Sequence, residues 1–364
     1  MDWIAIGGMV AGLVVLTLGG EMLIRGASRL AAFLGLSPLA IGLTVVAYGT
    51  SAPEMAVSVQ AGLAGNPNIA VANVVGSNIF NILFILGLCA LILPLTVSKS
   101  LVRRDVPVMI AASLATLVMA LDGRISRVDA TLLLAGLVAY TWTALRAGRR
   151  EREGVIEEYA EGYGQAPASG PKALRILGCL GLVLVGLFLL VLGSRWFVGG
   201  AISVARWLGV SDVIIGLTIV AAGTSLPEVA ASIIAALRKE RDIAIGNAVG
   251  SNICNLLAIL GVAAVVTPGG LAVAPEMLRL ALPLMLAVAL ICLPVFYTDY
   301  NITRRDGAIL FGSYVVYTVY LVLHATGSDV RSAVGKLALF AGMLGAAFLV
   351  TLAVRTWHRR HRQP

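Results

Sequence analysis

Charge is scarce in this chain. Of 364 residues, 13% are Asp, Glu, Lys or Arg, and 59% are hydrophobic. Soluble domains carry about 25% charge. With a mean hydropathy of +0.94, a polytopic membrane protein is the class that fits. Histidine is nearly missing: His324, His358 and His361 all fall late in the chain. The four cysteines, Cys89, Cys179, Cys254 and Cys292, are scattered through apolar runs, with neither metal-ligand nor disulfide spacing. A zinc or haem site is therefore not expected, nor is any cofactor. No Ser–His or Cys–His pairing suggests nucleophilic catalysis, so the chain is not expected to be an enzyme. Only Asp2 precedes the first apolar run. Without a basic leader segment, that run is expected to be a retained span and not a cleaved signal peptide.

What the chain has instead is long uncharged runs, such as Trp3–Gly20, Ile69–Ser98, Ile176–Ser194 and Ile243–Pro275. About 18 apolar residues suffice for a membrane-crossing helix. The helix-length runs and weak alternation argue against a β-barrel. Eleven spans are predicted, over 3–32, 38–63, 68–94, 105–121, 128–146, 173–205, 211–237, 242–267, 277–298, 305–325 and 334–355. With the N-terminus outside, 20 of the 27 basic residues face inward and 7 outward, as the positive-inside rule requires. The eleventh span is needed to return the Arg-rich tail to the cytoplasm. The net charge of +8 is thereby read as topology, not as affinity for nucleic acid. The lipid bilayer is the expected partner, and no obligate protein partner is evident. A preference for Arg over Lys, and the lack of a large cytoplasmic domain, point to a prokaryotic plasma (inner) membrane.

The chain also repeats itself. Gly49-Thr50-Ser51-Ala52-Pro53-Glu54 returns as Gly223-Thr224-Ser225-Leu226-Pro227-Glu228, and Gly76-Ser77-Asn78-Ile79-Phe80-Asn81 returns as Gly250-Ser251-Asn252-Ile253-Cys254-Asn255. Every equivalent pair is 174 positions apart, including Asn73 with Asn247 and Gly87 with Gly261. Five predicted spans separate equivalent points, so the second half must be inserted upside-down. The expected organisation is a five-helix repeat over 1–146, a charged, Gly/Pro/Ser-containing linker over 147–172, and an inverted repeat over 173–326. An extra helix over 334–355 and a basic tail over 356–364 complete it. Inverted repeats place a substrate site near the midplane, where the halves meet.

Glu54 and Glu228 are the acidic residues deepest within apolar spans. Charge at that depth is costly and marks function. Glu21 is a lesser exception, for which an i, i+4 ion pair with Arg25 is expected. Thr50, Ser51 and Glu54 share one helix face at spacings of three and four. Pro53 removes a backbone donor and frees the carbonyl of Gly49. Carbonyls from Ala47 to Thr50 are then able to turn inward. Ala221, Thr224, Ser225, Pro227 and Glu228 repeat the arrangement. Ser77 with Asn81, and Ser251 with Asn255, are i, i+4 pairs. All these donors are hard oxygens, which suit calcium or sodium and not soft metals. Two carboxylates supply −2, enough to neutralise one Ca2+ or two Na+, and protons are expected to compete at low pH.

At these residues the chain resembles the cation/calcium exchanger superfamily, most closely its bacterial and archaeal calcium/sodium antiporters. The two blocks look like that family's α-repeats, over roughly 19–94 and 193–268. The resemblance implies an all-α core of ten helices in two inverted halves of five, to which an eleventh C-terminal helix is added here. It also implies sodium-driven calcium export, with long first and sixth helices sliding across the core. It assigns calcium to Glu54 and Glu228, with backbone oxygens at Thr50 and Thr224. It assigns sodium to surrounding sites using Ala47, Thr50, Ser51, Glu54, Ser77, Asn81, Ala221, Thr224, Ser225, Glu228, Ser251 and Asn255. Some relatives carry Asp where this chain has Asn255, which argues against potassium co-transport. The resulting expectation is a Na+/Ca2+ antiporter, with a proton/calcium antiporter of the same architecture as the alternative. A channel is the rival from another class, and a single midplane site in inverted repeats argues against it.

Overall fold

In a hydrocarbon environment every backbone polar group must bond internally, so apolar runs of this length become helices. The computed structural model describes residues 3–150, 172–297 and 299–325. Its helices are α1 (Trp3–Leu34), α2 (Pro38–Thr50), α3 (Ala52–Leu63), α4 (Pro67–Ile92), α5 (Leu101–Asp122) and α6 (Arg127–Arg150). They continue with α7 (Lys172–Trp207), α8 (212–223), α9 (Leu226–Leu237), α10 (Arg241–Val266), α11 (Met277–Tyr297) and α12 (Arg304–Ala325). Among the described residues, eight are long and apolar enough to cross a membrane; α2, α3, α8 and α9 are shorter.

Two expectations change in detail. The single spans expected at 38–63 and 211–237 are each broken, at Ser51 (φ −79°, ψ 8°) and at Ser225 (φ −90°, ψ 8°). Pro53 and Pro227, each near the start of the following helix, explain the breaks, since proline cannot donate one turn back. The linker expected from 147 begins later, because α6 runs to Arg150. Residues 151–171 and the expected eleventh helix at 334–355 lie outside the described residues.

Four two-residue strands tie the halves together. Strand β1 (Leu95–Thr96) pairs antiparallel with β4 (Asn301–Ile302), and β2 (Arg124–Ile125) with β3 (Leu271–Ala272). These ribbons settle direction. Helix α4 leads into β1, whereas α10 leads into β3, and α5 and α11 run between the two ribbons in opposite senses. Corresponding helices of the two halves therefore run antiparallel. Helices α4 and α10 form the buried centre, whereas α1 and α7 keep wide exposed faces.

Helices α1 and α7 lie against each other along a glycine seam. A Cβ on Gly12 would sit 2.8 Å from the Gly193 carbonyl, and one on Gly19 would sit 2.9 Å from the Gly186 carbonyl. One on Gly200 would sit 2.5 Å from the Ala5 carbonyl. Glycine recurs every seven residues on both helices (12, 19, 26 and 186, 193, 200). That spacing keeps one narrow face bare and lets two backbones touch.

Candidate ion-binding site

The helix breaks place the two glutamates. Pro53 and Pro227 start α3 and α9, so Glu54 and Glu228 occupy the first turn of each. A carboxylate at a helix N-terminus is favoured by the exposed N–H groups there. Both side chains are almost wholly buried, at 1% exposure.

Their hydrogen bonds cross between the halves. Ser225 Oγ donates to Glu54 Oε1 at 2.7 Å, and Ser51 Oγ donates to Glu228 Oε1 at 3.0 Å. Ser77 Oγ lies 3.3 Å from Ser225 Oγ. Each carboxylate thus keeps its other oxygen free. Among the described residues, eight buried side-chain nitrogen or oxygen atoms have no hydrogen-bond partner. Six belong to the expected site: Glu54 Oε2, Glu228 Oε2, Asn81 Oδ1, Asn255 Oδ1, Ser251 Oγ and Thr224 Oγ1. Buried polar atoms are almost always paired, so such a concentration needs an explanation. Four of the six are carboxylate or carboxamide oxygens, which are acceptors only. Such acceptors are the kind of oxygen a hard cation takes; among hydrogen-bond partners, only donors could serve them.

Local helix geometry supports this. Helices α2 and α8 contain π-helical turns at Gly42–Val46 and Gly216–Val220, just before Ala47 and Ala221. Further π turns start at Asn81 in α4 and at Asn255 in α10. Such insertions loosen the i, i+4 ladder and occur often at functional positions. No residue pattern in the sequence signalled them. The freed carbonyls expected near Ala47 are partly engaged, since the Ala47 carbonyl accepts from Ser51 N at 3.1 Å and from Thr50 Oγ1 at 3.3 Å.

The two halves of the site are not equally enclosed. Helix α2 lies against α10, where a Cβ on Gly42 would sit 2.9 Å from the Ile243 carbonyl and one on Gly250 would sit 2.6 Å from that of Leu43. At the equivalent α8–α4 contact, a Cβ on Gly216 or on Gly76 would meet nothing within 4 Å. Ala47 is accordingly buried and Ala221 exposed. Thr50 Oγ1 lies 3.2 Å from Asn247 Oδ1, while Thr224 Oγ1 has no such partner. Ten of the twelve expected residues are therefore buried around the helix breaks, and Thr224 and Ala221 stand on the opened side.

Several supporting roles escaped the sequence reading. Asn73 Nδ2 donates to the Glu54 carbonyl at 3.2 Å and to Ser58 Oγ at 3.0 Å. Asn247 Nδ2 repeats this at the Glu228 carbonyl (3.3 Å) and Ser232 Oγ (2.8 Å). The constant offset was the available signal, because Ser58 and Ser232 are also 174 apart. Ser194 on α7 donates to the Gly223 carbonyl at 2.7 Å, one turn before Pro227. Its equivalent in the first half is Gly20, so no repeat could have marked it. Glu21 pairs with Arg25 as expected, and also with Arg238 just beyond α9.

Comparison with known proteins places the chain in a family. The chain matches a family described as "Sodium/calcium exchanger protein" over residues 4–146 and 179–323. It is 36% identical to a putative antiporter, CaxA, of Alkalimonas amylolytica over 86% of this chain and 97% of that protein. It is 35% identical to the inner membrane protein YrbG of Escherichia coli K12, over 86% of this chain and 95% of that protein. The sodium/calcium exchanger MaX1 of Methanosarcina acetivorans is 32% identical, over 86% and 97% respectively. Among solved structures, the sodium-calcium exchanger NCX_Mj superposes with a TM-score of 0.74 at 29% identity, covering 88% of this chain and all of that one.

Proposed function

The chain belongs to the sodium/calcium exchanger family, and from that premise we propose that Glu54 and Glu228 jointly hold the calcium ion that it exchanges for sodium. The protein is a multi-pass membrane antiporter that trades Na+ for Ca2+ by alternating access. The observation that carries the site assignment is the set of unpartnered buried oxygens, contributed by both halves around the two glutamates. Calcium takes about six to eight oxygen ligands. In this reading Glu54 and Glu228 supply the charge, and Asn81, Asn255, Ser251 and Thr224 supply neutral oxygens. Ser51, Ser77, Ser225, Thr50, Ala47 and Ala221 complete the surrounding sodium sites.

Coupling follows from shared ligands. Sodium and calcium compete for the same two carboxylates, so one ion must leave before the other binds. An empty pair of buried carboxylates repels itself, which disfavours crossing without cargo. The end bearing β1 and β4 gathers Arg25, Arg29, Arg103, Arg104, Arg238 and Arg241, and the positive-inside rule supports a cytoplasmic assignment for it. The gap between α4 and α8 then opens outward, and the N-terminus lies outside, in a prokaryotic inner membrane.

Calcium uptake into proteoliposomes tests the reading. Vesicles preloaded with Na+ are expected to accumulate Ca2+, whereas K+-loaded and gradient-free vesicles are not. Uptake driven by a pH gradient alone would transfer the protein to proton coupling.

A further inference from the structure

We propose that Asn78 and Asn252 are positioning residues, which fix the end of the Asn255 and Asn81 carboxamides that faces the cation; this rests on reading Asn81 and Asn255 as ion ligands. A carboxamide has two chemically opposite ends of nearly equal size. Its oxygen attracts a cation, and its NH2 repels one. Something must hold Asn81 and Asn255 oxygen-first, because rotation by half a turn costs nothing in shape.

The restraint comes from the other half of the molecule. Asn81 Nδ2 donates to Asn252 Oδ1 at 3.0 Å, which leaves Asn81 Oδ1 as the unpartnered end. Asn255 Nδ2 donates to Asn78 Oδ1 at 2.9 Å, with the same consequence for Asn255 Oδ1. The two orienting residues cannot themselves turn over. Asn252 Nδ2 donates to the Asn78 carbonyl at 3.2 Å and faces Met109 Sδ at 3.6 Å. Asn78 Nδ2 donates to the Asn252 carbonyl at 3.4 Å and faces Met285 Sδ at 3.7 Å. Turning either residue over would set its oxygen against a carbonyl oxygen and a thioether, and would remove the acceptor on which Asn81 or Asn255 depends. All four asparagines are buried, so a lost bond leaves a buried polar atom without its partner. The network joins α4 to α10 where they cross, and each half sets the ligand of the other.

A double-mutant cycle reads this directly, with half-saturating Ca2+ and maximal rate measured in proteoliposomes. N252A is expected to raise half-saturating Ca2+ about five- to tenfold at a retained maximal rate, the effect of one buried hydrogen bond. Added to N81A, it should change half-saturation by less than about twofold; added to N255A, the two effects should multiply. N78A should show the reverse pairing. Equal multiplication in both backgrounds would overturn the proposal, as would a loss of rate and thermal stability with half-saturation unmoved. Should N81A and N255A each leave half-saturation unchanged, the ligand assignment fails first and takes the positioning role with it. Asn252→Ser serves for the same cycle if N252A is not recovered folded.

Discussion

At the scale of single residues, the site is a problem of buried charge. Glu54 and Glu228 each accept one serine hydroxyl from the opposite half and keep one oxygen free. Glu→Gln keeps the shape and removes the charge. Breaking a buried charge pairing costs about 3–5 kcal/mol, which is more than a hundredfold in affinity. E54Q and E228Q are therefore each expected to abolish calcium uptake while leaving the protein folded. Uptake at the native rate in either variant would remove that residue from the site. S51A and S225A should be milder, since each removes one hydrogen bond to a carboxylate, worth about 1.5–3 kcal/mol. Their effects are expected on ion affinity before thermal stability, measured by uptake and by melting in detergent.

At the scale of elements, two features shape behaviour. The first is the broken helix. Pro53 and Pro227, with the π-helical turns upstream, end one helix and begin another within the protein interior. Irregular backbone at that depth is tolerated only where it is enclosed or lines a cavity. The second is the seam between α1 and α7. The two backbones approach with little side chain between them, and the pair is suited to move as one body against the core. A leucine at position 19 would force its Cβ to within 2.8 Å of the Leu190 backbone nitrogen. Overpacking of this kind costs about 1–3 kcal/mol. G19L is expected to lower the melting temperature and slow exchange, whereas G178L, at a position where a Cβ meets nothing within 4 Å, should do neither. Both would be read by melting and by uptake rate. Glu21 ties this pair to the core through Arg238, and the equivalent positions Arg195 and Ala64 offer no such pairing.

At the scale of the whole molecule, internal symmetry is present but broken. Helix α2 is packed on α10, whereas α8 stands off from α4. With the native cysteines replaced, A221C is expected to react with a charged thiol reagent and A47C to resist it, since Ala221 is exposed and Ala47 buried. Equal reactivity would mean that the two sides of the site are equally open in solution. The reagent is expected to act from outside, the side to which the gap between α4 and α8 is proposed to open.

Much of this was legible from residues alone. Hydropathy dictated helices, because a membrane leaves a backbone no other way to bond itself. A duplicated block at a constant offset dictated two halves, and the odd number of intervening spans dictated their opposed directions. Glu54, Glu228 and their serine, threonine and asparagine neighbours stood out because polar groups at that depth are costly. What tertiary structure alone decided is who meets whom. No spacing in the chain says that Ser51 serves Glu228 and Ser225 serves Glu54, or that Asn252 holds Asn81. Those bonds join residues more than 170 positions apart and exist only once the two halves pack together. The same holds for the opened side. Equivalent motifs predict equivalent halves, whereas packing closes α2 on its neighbour and leaves α8 apart, because Gly42 and Gly250 sit against backbone at one contact while Gly216 and Gly76 meet nothing at the other.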